Sequence, residues 1–308
     1  MNKMKKLIKN TPLVISGLML GLAGLGNLIA GYNQNYKIAA GLLAAFILCL
    51  LAAKFLFFCP NCLKEIENPL IASVCLTIPM AIMILTTYIL SFAPVLAKLL
   101  WYTAIILHAL FIILFSIKIS KNFNLKKVFP SYFIVYVGIV VASVTAPAFN
   151  KLQLGQQLFY FGFISYLILV PIISYRVFII KQIPTPALPT ITIFTAPAGL
   201  CLAGYLSSFP EKNIILLSFL IFLSLASIIP IIIYLPKMLK NGFYPSFSAF
   251  TFPFVITGIG LKMSNFYLTN NFDLNFLSYP AKIIEFLAIF LVGFVLISYT
   301  NFLVKKSV

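Results

Sequence analysis

Acidic residues are nearly missing from this chain: five Asp and Glu stand against 22 Lys and Arg, with a single His. That shortage excludes most catalytic chemistry. General acid–base catalysis, metal binding and nucleophile activation draw on His and carboxylates held in pairs or clusters. No nucleophile–base pair, phosphate loop or nucleotide motif stands in the sequence, so neither an enzyme nor a cofactor is expected, and no metal site. The five cysteines form no disulfide framework. Cys59-Pro-Asn-Cys62 is a C-x-x-C, but without a second pair or a neighbouring His it reads as structural. Charge of both signs makes up 9% of residues, where soluble domains run near a quarter. The longest polar connections, near 59–69, 119–129 and 269–277, are short. They leave no room for a soluble domain, and residues 1–308 read as one membrane domain.

What is present is apolar. Hydrophobic residues make up 62% of the chain, and the mean hydropathy is +1.09. A hydrocarbon core about 30 Å thick needs about 20 apolar residues per helix. Such stretches recur at 11–31, 37–58, 69–91, 94–119, 130–149, 154–181, 186–208, 213–239, 246–268 and 278–304. The sequence therefore predicts an all-α polytopic protein with ten transmembrane helices in a lipid bilayer. The first stretch follows Lys3, Lys5, Lys6 and Lys9 but shows no small-residue cleavage site, and it is expected to stay as a span.

The formal charge of +17 would direct a soluble chain toward nucleic acid. Here it reports topology, and no nucleic-acid partner is expected. With the N-terminus inside, sixteen of the 22 basic residues fall at cytoplasmic ends, as the positive-inside rule requires. Lys37, Lys98, Lys151, Lys212, Lys262 and Lys282 fall outside. Both termini are thus expected to be cytoplasmic, in a cell (plasma or inner) membrane. Trp101, Tyr102 and Tyr267 fall near outer boundaries and read as interfacial aromatics.

Each odd-numbered span opens on a proline: Pro12, Pro69, Pro130, Pro186 and Pro245. Thr11, Asn68 and Thr185 precede three of them, as an N-cap precedes a first-turn proline. This repeat predicts five hairpins in one orientation. A second theme, Thr-x-Pro, recurs as Thr77-Ile-Pro79, Thr145-Ala-Pro147, Thr195-Ala-Pro197 and Thr251-Phe-Pro253. The first span has Gly21, Gly24 and Gly26 instead. Helices with breakers, small residues and hydroxyls belong against a cavity or a close neighbour. Smoother Leu/Ile/Phe-rich helices belong against lipid. The expected architecture is an inner ring of five odd helices, forming a pore, inside an outer ring of five even ones.

The stretch Tyr244–Gly260 is the centre of that reading. Pro253, as an interior proline, is expected to free the carbonyl of Ala249 and bend the helix, with Phe252 at the bend. Among the middle residues of the Thr-x-Pro triplets, Ile78, Ala146, Ala196 and Phe252, the phenylalanine would plug a common axis and the alanines would leave it space. The expected pore lining comprises Gly24, Gly26, Thr77, Pro79, Ser143, Thr145, Pro147, Thr195, Pro197, Thr251 and Pro253. It holds no acid, so there is no cation filter. Five helix N-termini point partial positive charge at the cytoplasmic mouth, each worth about 0.3–1 kcal/mol to an anion. Lys262 is read as an anion contact, with snorkelling or pairing to Glu285 as the alternatives. His108 reads as a neutral imidazole bonded to a neighbouring helix, and Glu65 and Glu67 as solvated loop charges.

Four stretches carry a resemblance: Asn68-Pro-Leu-Ile-Ala-Ser73, Pro130-Ser-Tyr-Phe-Ile-Val-Tyr-Val-Gly-Ile139, Ala187-Leu-Pro-Thr-Ile-Thr-Ile-Phe-Thr-Ala-Pro-Ala198 and Phe247-Ser-Ala-Phe-Thr-Phe-Pro253. Through them the chain resembles the tellurite-resistance/dicarboxylate transporter (TDT) family, which holds the TehA-like proteins and the plant slow-type anion channels. The resemblance spans essentially the whole chain. It implies a homotrimer of ten-helix protomers, each with its own pore and a phenylalanine on the ninth helix occluding it, here Phe252. It implies passive transport of small inorganic anions such as chloride or nitrate. The alternative it carries is a secondary carrier of a dicarboxylate, sulfite or tellurite, with proton coupling.

Overall fold

The computed structural model describes residues 3–121, 123–240 and 242–307, and every regular element among them is helical. Among the described residues nine helices are long and apolar enough to cross a membrane: Gln34–Phe57, Pro69–Ile89, Pro94–Lys121, Tyr132–Phe149, Leu152–Ile180, Thr185–Ser208, Ile214–Leu239, Pro245–Phe272 and Ser278–Lys306. A pair bent by 80°, Lys3–Asn10 followed by Leu13–Ile29, brings the number to ten when it is taken as one span, numbered first below. The basic N-terminal segment therefore turns away before the first span begins, because Pro12 lacks the N–H that would carry the helix on.

Both chain ends lie on one face. The side-chain amide of Asn10 donates to the carbonyl of Lys306 at 2.9 Å. On this terminal face Lys118 donates to the carbonyls of Ile66 and Glu67, and the Arg176 guanidinium donates to those of Lys126, Lys181 and Gln182. On the far face Lys262 joins Glu285 at 2.8 Å and the Leu28 carbonyl at 3.2 Å. Successive spans thus alternate in direction.

Burial divides the spans by parity. The third, fifth, seventh and ninth are 61%, 72%, 83% and 78% buried over their apolar windows. The even-numbered spans are between 22% and 39% buried. Leu and Phe faces such as Leu42, Leu99, Ile168, Phe222 and Phe286 are left exposed, as suits a lipid solvent. Trp101 corrects the interfacial expectation. It is fully buried, its indole N–H donates to Thr145 Oγ1 at 2.8 Å, and it stacks on Phe149.

The odd spans are not simple kinked α-helices. The first, third, seventh and ninth start with a short or 3₁₀ stretch and change to regular α-helix part-way along, while the fifth alternates, α-helical over Tyr132–Val137 and Val141–Thr145 and 3₁₀ over Gly138–Val140 and Ala146–Phe149. The later α-helices begin at Ser16, Thr77, Val141, Thr195 and Phe252. Pro79 and Pro197 then occupy the third position of a fresh helix and Pro253 the second. A proline there is tolerated because the first-turn N–H groups have no intrahelical partner. The expected bend beside Phe252 is present, but Pro253 starts a helix there and does not kink the interior of one. The break lies at Thr251 (φ −92°, ψ −82°), between the 3₁₀ segment Pro245–Phe250 and the helix Phe252–Phe272.

The C-x-x-C stretch is also more ordered than a loop. It opens the short helix Cys59–Ile66, with Cys62 buried and Cys59 exposed, both as free thiols. Glu65 on that helix is no freely solvated charge. One carboxylate oxygen pairs with Lys54, which is 1% exposed, and the other accepts the N–H of Leu13 at 3.2 Å. Lys54 also donates to the Thr11 carbonyl at 2.6 Å. This cluster holds the bend at Pro12 in place.

Candidate functional site

Three cavities follow one another through the protein. The first, about 330 Å³, opens at the terminal face where the five odd spans begin; Pro12, Asn68, Phe129, Pro186 and Pro245 each contribute to its wall. Next is an inner cavity of about 40 Å³. Every residue lining it comes from an odd span, among them Gly17, Thr77, Gly138, Pro197 and Phe252. A far cavity of about 90 Å³ follows, walled by residues including Gly24, Asn27, Val141, Thr145, Phe252 and Ile256. Phe252 is the one residue common to the inner and far cavities. Its side chain is buried, and it forms part of the wall of both.

The first span makes room for that ring. A Cβ on Gly24 would sit 3.4 Å from Phe252 Cε2 and 2.9 Å from Val255 Cγ1. One on Gly21 would sit 2.5 Å from Thr251 Cβ, and one on Gly17 would sit 3.0 Å from Ser248 Cβ. Three glycines at helical spacing therefore let the first span lie against the broken part of the ninth. Thr251 ties them together, its hydroxyl 2.9 Å from the Gly17 carbonyl and 2.7 Å from its own Ser248 carbonyl.

The expected lining divides on inspection. Gly24, Thr77, Thr145, Pro197 and Pro253 line one of the two cavities beside Phe252. The other six line neither. Gly26 faces Tyr88 and the second span, where a Cβ would lie 2.3 Å from the Tyr88 hydroxyl oxygen. Ser143 donates to the Gly155 carbonyl of the sixth span at 2.7 Å, and Ala146 packs against the same glycine. Pro79 is buried at a helix start, Pro147 is exposed at the far end of the fifth span, and Thr195 and Thr251 are buried beside the path. The common reason is that a helix turns 100° per residue, so a motif on a buried span need not face the cavities. Of the alanines, Ala196 lines the inner cavity while Ala146 does not.

The hydroxyls are less available than a polar lining would be. Thr77 donates to Val74, Thr190 to Ala187, Ser246 to Pro186 and Thr145 to Val141, all carbonyls. A hydroxyl has one hydrogen to give. Among the described residues no charged side chain lines either cavity beside Phe252. Lys262 lies apart, paired with Glu285 and set over the Tyr32 ring at 5.0 Å. His108 is buried outside both cavities, with Nε2 3.0 Å from the Val135 carbonyl. The mouth has one ionisable lining residue among those described, Glu65, and its carboxylate already occupies the positive end of the first span.

Sequence reasoning missed Gly17 and Asn27. Both belong to the stripe Val14, Gly17, Gly21, Gly24 and Asn27, spaced three or four residues apart, which the glycine count alone did not bring out.

A family model described as voltage-dependent anion channel matches residues 10–300. The chain belongs to that family. Membership in the voltage-dependent anion channel family bears out the resemblance to the TDT proteins and makes the chain an integral membrane protein of an anion-transporting family. No curated protein matches the chain. Within the family match fall all five odd spans and the whole path described above.

Proposed function

We propose that this protein conducts small monovalent anions, chloride or nitrate in kind, passively through the space between its odd spans, and that Phe252 closes that path at rest. The observation that carries the reading is Phe252's position as the single residue shared by the inner and far cavities. In this reading the odd spans are an inner ring, the even spans face lipid, and the five hairpins repeat. The terminal face is cytoplasmic, in keeping with the lysine distribution. Anions enter past five helix starts whose N–H groups carry partial positive charge. They then meet walls that bind weakly, which suits conduction more than storage. The protein works as a homotrimer of independent pores. Mass photometry of the purified protein tests this, and a monomer mass would refute it.

The test is anion current for wild type and Phe252→Ala in bilayers, with chloride and then nitrate as the charge carrier. A large rise in anion-selective current in the variant is the expected result. Equal silence of both, with uptake of labelled malate or sulfite into proteoliposomes, overturns the gate and supports a carrier.

A further inference from the structure

On the far side of Phe252 the cavity of about 90 Å³ is walled mainly by Gly24, Ile84, Val141, Val144, Ile256 and Ile259. Two of its lining residues are polar, Thr145 and Asn27. Thr145 is committed on both counts: it accepts the Trp101 N–H at 2.8 Å and gives its own hydrogen to the Val141 carbonyl at 2.9 Å. Asn27 is exposed, and its side chain makes no hydrogen bond with any described residue. A primary amide carries two N–H donors. Asn27 stands three residues after Gly24, so it lies on the same helix face, about one turn, or ~5 Å, further out. An anion that has passed Phe252 has shed part of its water and needs donors to replace it. Asn27 holds the only uncommitted side-chain donors in that wall among the described residues.

We infer that Asn27 is the anion-selecting contact of the far cavity. The site takes one small monovalent anion with a few waters, since a water's share of liquid volume is about 30 Å³. It offers hydrogen bonds without a cation. It therefore favours weakly hydrated anions, which lose little on entry, over a dianion, which needs paired positive charge. The amide selects, where Phe252 only opens and closes. The inference rests on the conduction reading above, and its tests are separable from it.

The first test uses the Phe252→Ala background, where the path is open. Asn27→Ala is expected to shift the nitrate-to-chloride permeability ratio, read from bi-ionic reversal potentials, by up to about fivefold, the ratio reached when the amide's hydrogen bond is worth about 1 kcal/mol more to one anion than to the other. Asn27→Asp, of the same shape with acceptors and a negative charge in place of donors, is expected to suppress anion current. Unchanged ratio and current in both double variants overturn the role of Asn27 while leaving Phe252 as the gate. A silent Phe252→Ala variant overturns the gate itself, and the site is then decided by labelling. Asn27→Cys is treated from the far face with a small anionic and a small cationic thiosulfonate, against wild type as background. Faster reaction with the anionic reagent supports an anion-selecting site. No reaction, or preference for the cationic reagent, overturns it.

Discussion

Gly24 of the first span and Phe252 of the ninth face each other so closely that a methyl group on the glycine would touch the ring, at 3.4 Å from Cε2. The two positions share one volume, and under the proposed function whichever side chain fills it closes the path. In the Phe252→Ala background, Gly24→Leu therefore refills the vacated space from the opposite wall and lowers the current again. Recording the single and double variants side by side checks this; a double variant that conducts like the single one contradicts it.

Gly21 serves packing rather than passage. Its Cβ would lie 2.5 Å from Thr251 Cβ and 3.2 Å from the Phe252 backbone nitrogen, atoms that cannot swing away. Overpacking of this kind costs about 1–3 kcal/mol. Gly21→Ala should lower the melting temperature in detergent more than Gly24→Ala, whose nearest neighbour is a valine methyl.

Lys54 and Glu65 form the second polar keystone. Removing one partner of a buried pair leaves an uncompensated charge and costs about 3–5 kcal/mol. Because Glu65 is partly exposed, water screens some of that loss, and Glu65→Ala is expected at the lower end, about 3 kcal/mol. Lys54→Met combined with Glu65→Leu should recover much of the stability, since the charge leaves with its partner. Thermal unfolding of the three variants distinguishes a paired charge from an incidental contact.

The two thiols of Cys59-Pro-Asn-Cys62 should label unequally. Burial pushes the Cys62 thiol up from its usual value, so at neutral pH it holds less reactive thiolate. Cys59 is exposed. A membrane-impermeant maleimide is expected to modify Cys59 first, and Cys62 only slowly, gaining as pH rises. Reaction from one side of sealed vesicles also reports which face carries the termini. Labelling from outside intact cells would reverse the proposed orientation.

The spans were legible because each is a long apolar run bounded by charge, and the break beside Phe252 because Thr-x-Pro marks it. Much of the fine structure was not. Thr-x-Pro signals a break, but whether the proline bends a helix or starts one depends on the segment before it, and the 3₁₀ segment Pro245–Phe250 packs against the first and seventh spans, neighbours that only the fold supplies. Likewise Ser143 and Gly26 sit on odd spans yet face Gly155 and Tyr88 of neighbouring spans, a matter of rotation that composition does not report. The pairing of Glu65 with Lys54 joins positions eleven residues apart across a turn whose shape only the fold supplies.

The lack of charge around Phe252 has a consequence for how the path responds to electricity. A membrane potential does work only on charge that moves, about 2.3 kcal/mol per elementary charge for each 100 mV. A phenyl ring swinging aside carries none, and the walls beside it hold no ionised side chain among the described residues. In the proposed reading the potential therefore drives the ion without turning the latch: single-channel recording is expected to find the open fraction level across voltage while the current follows it.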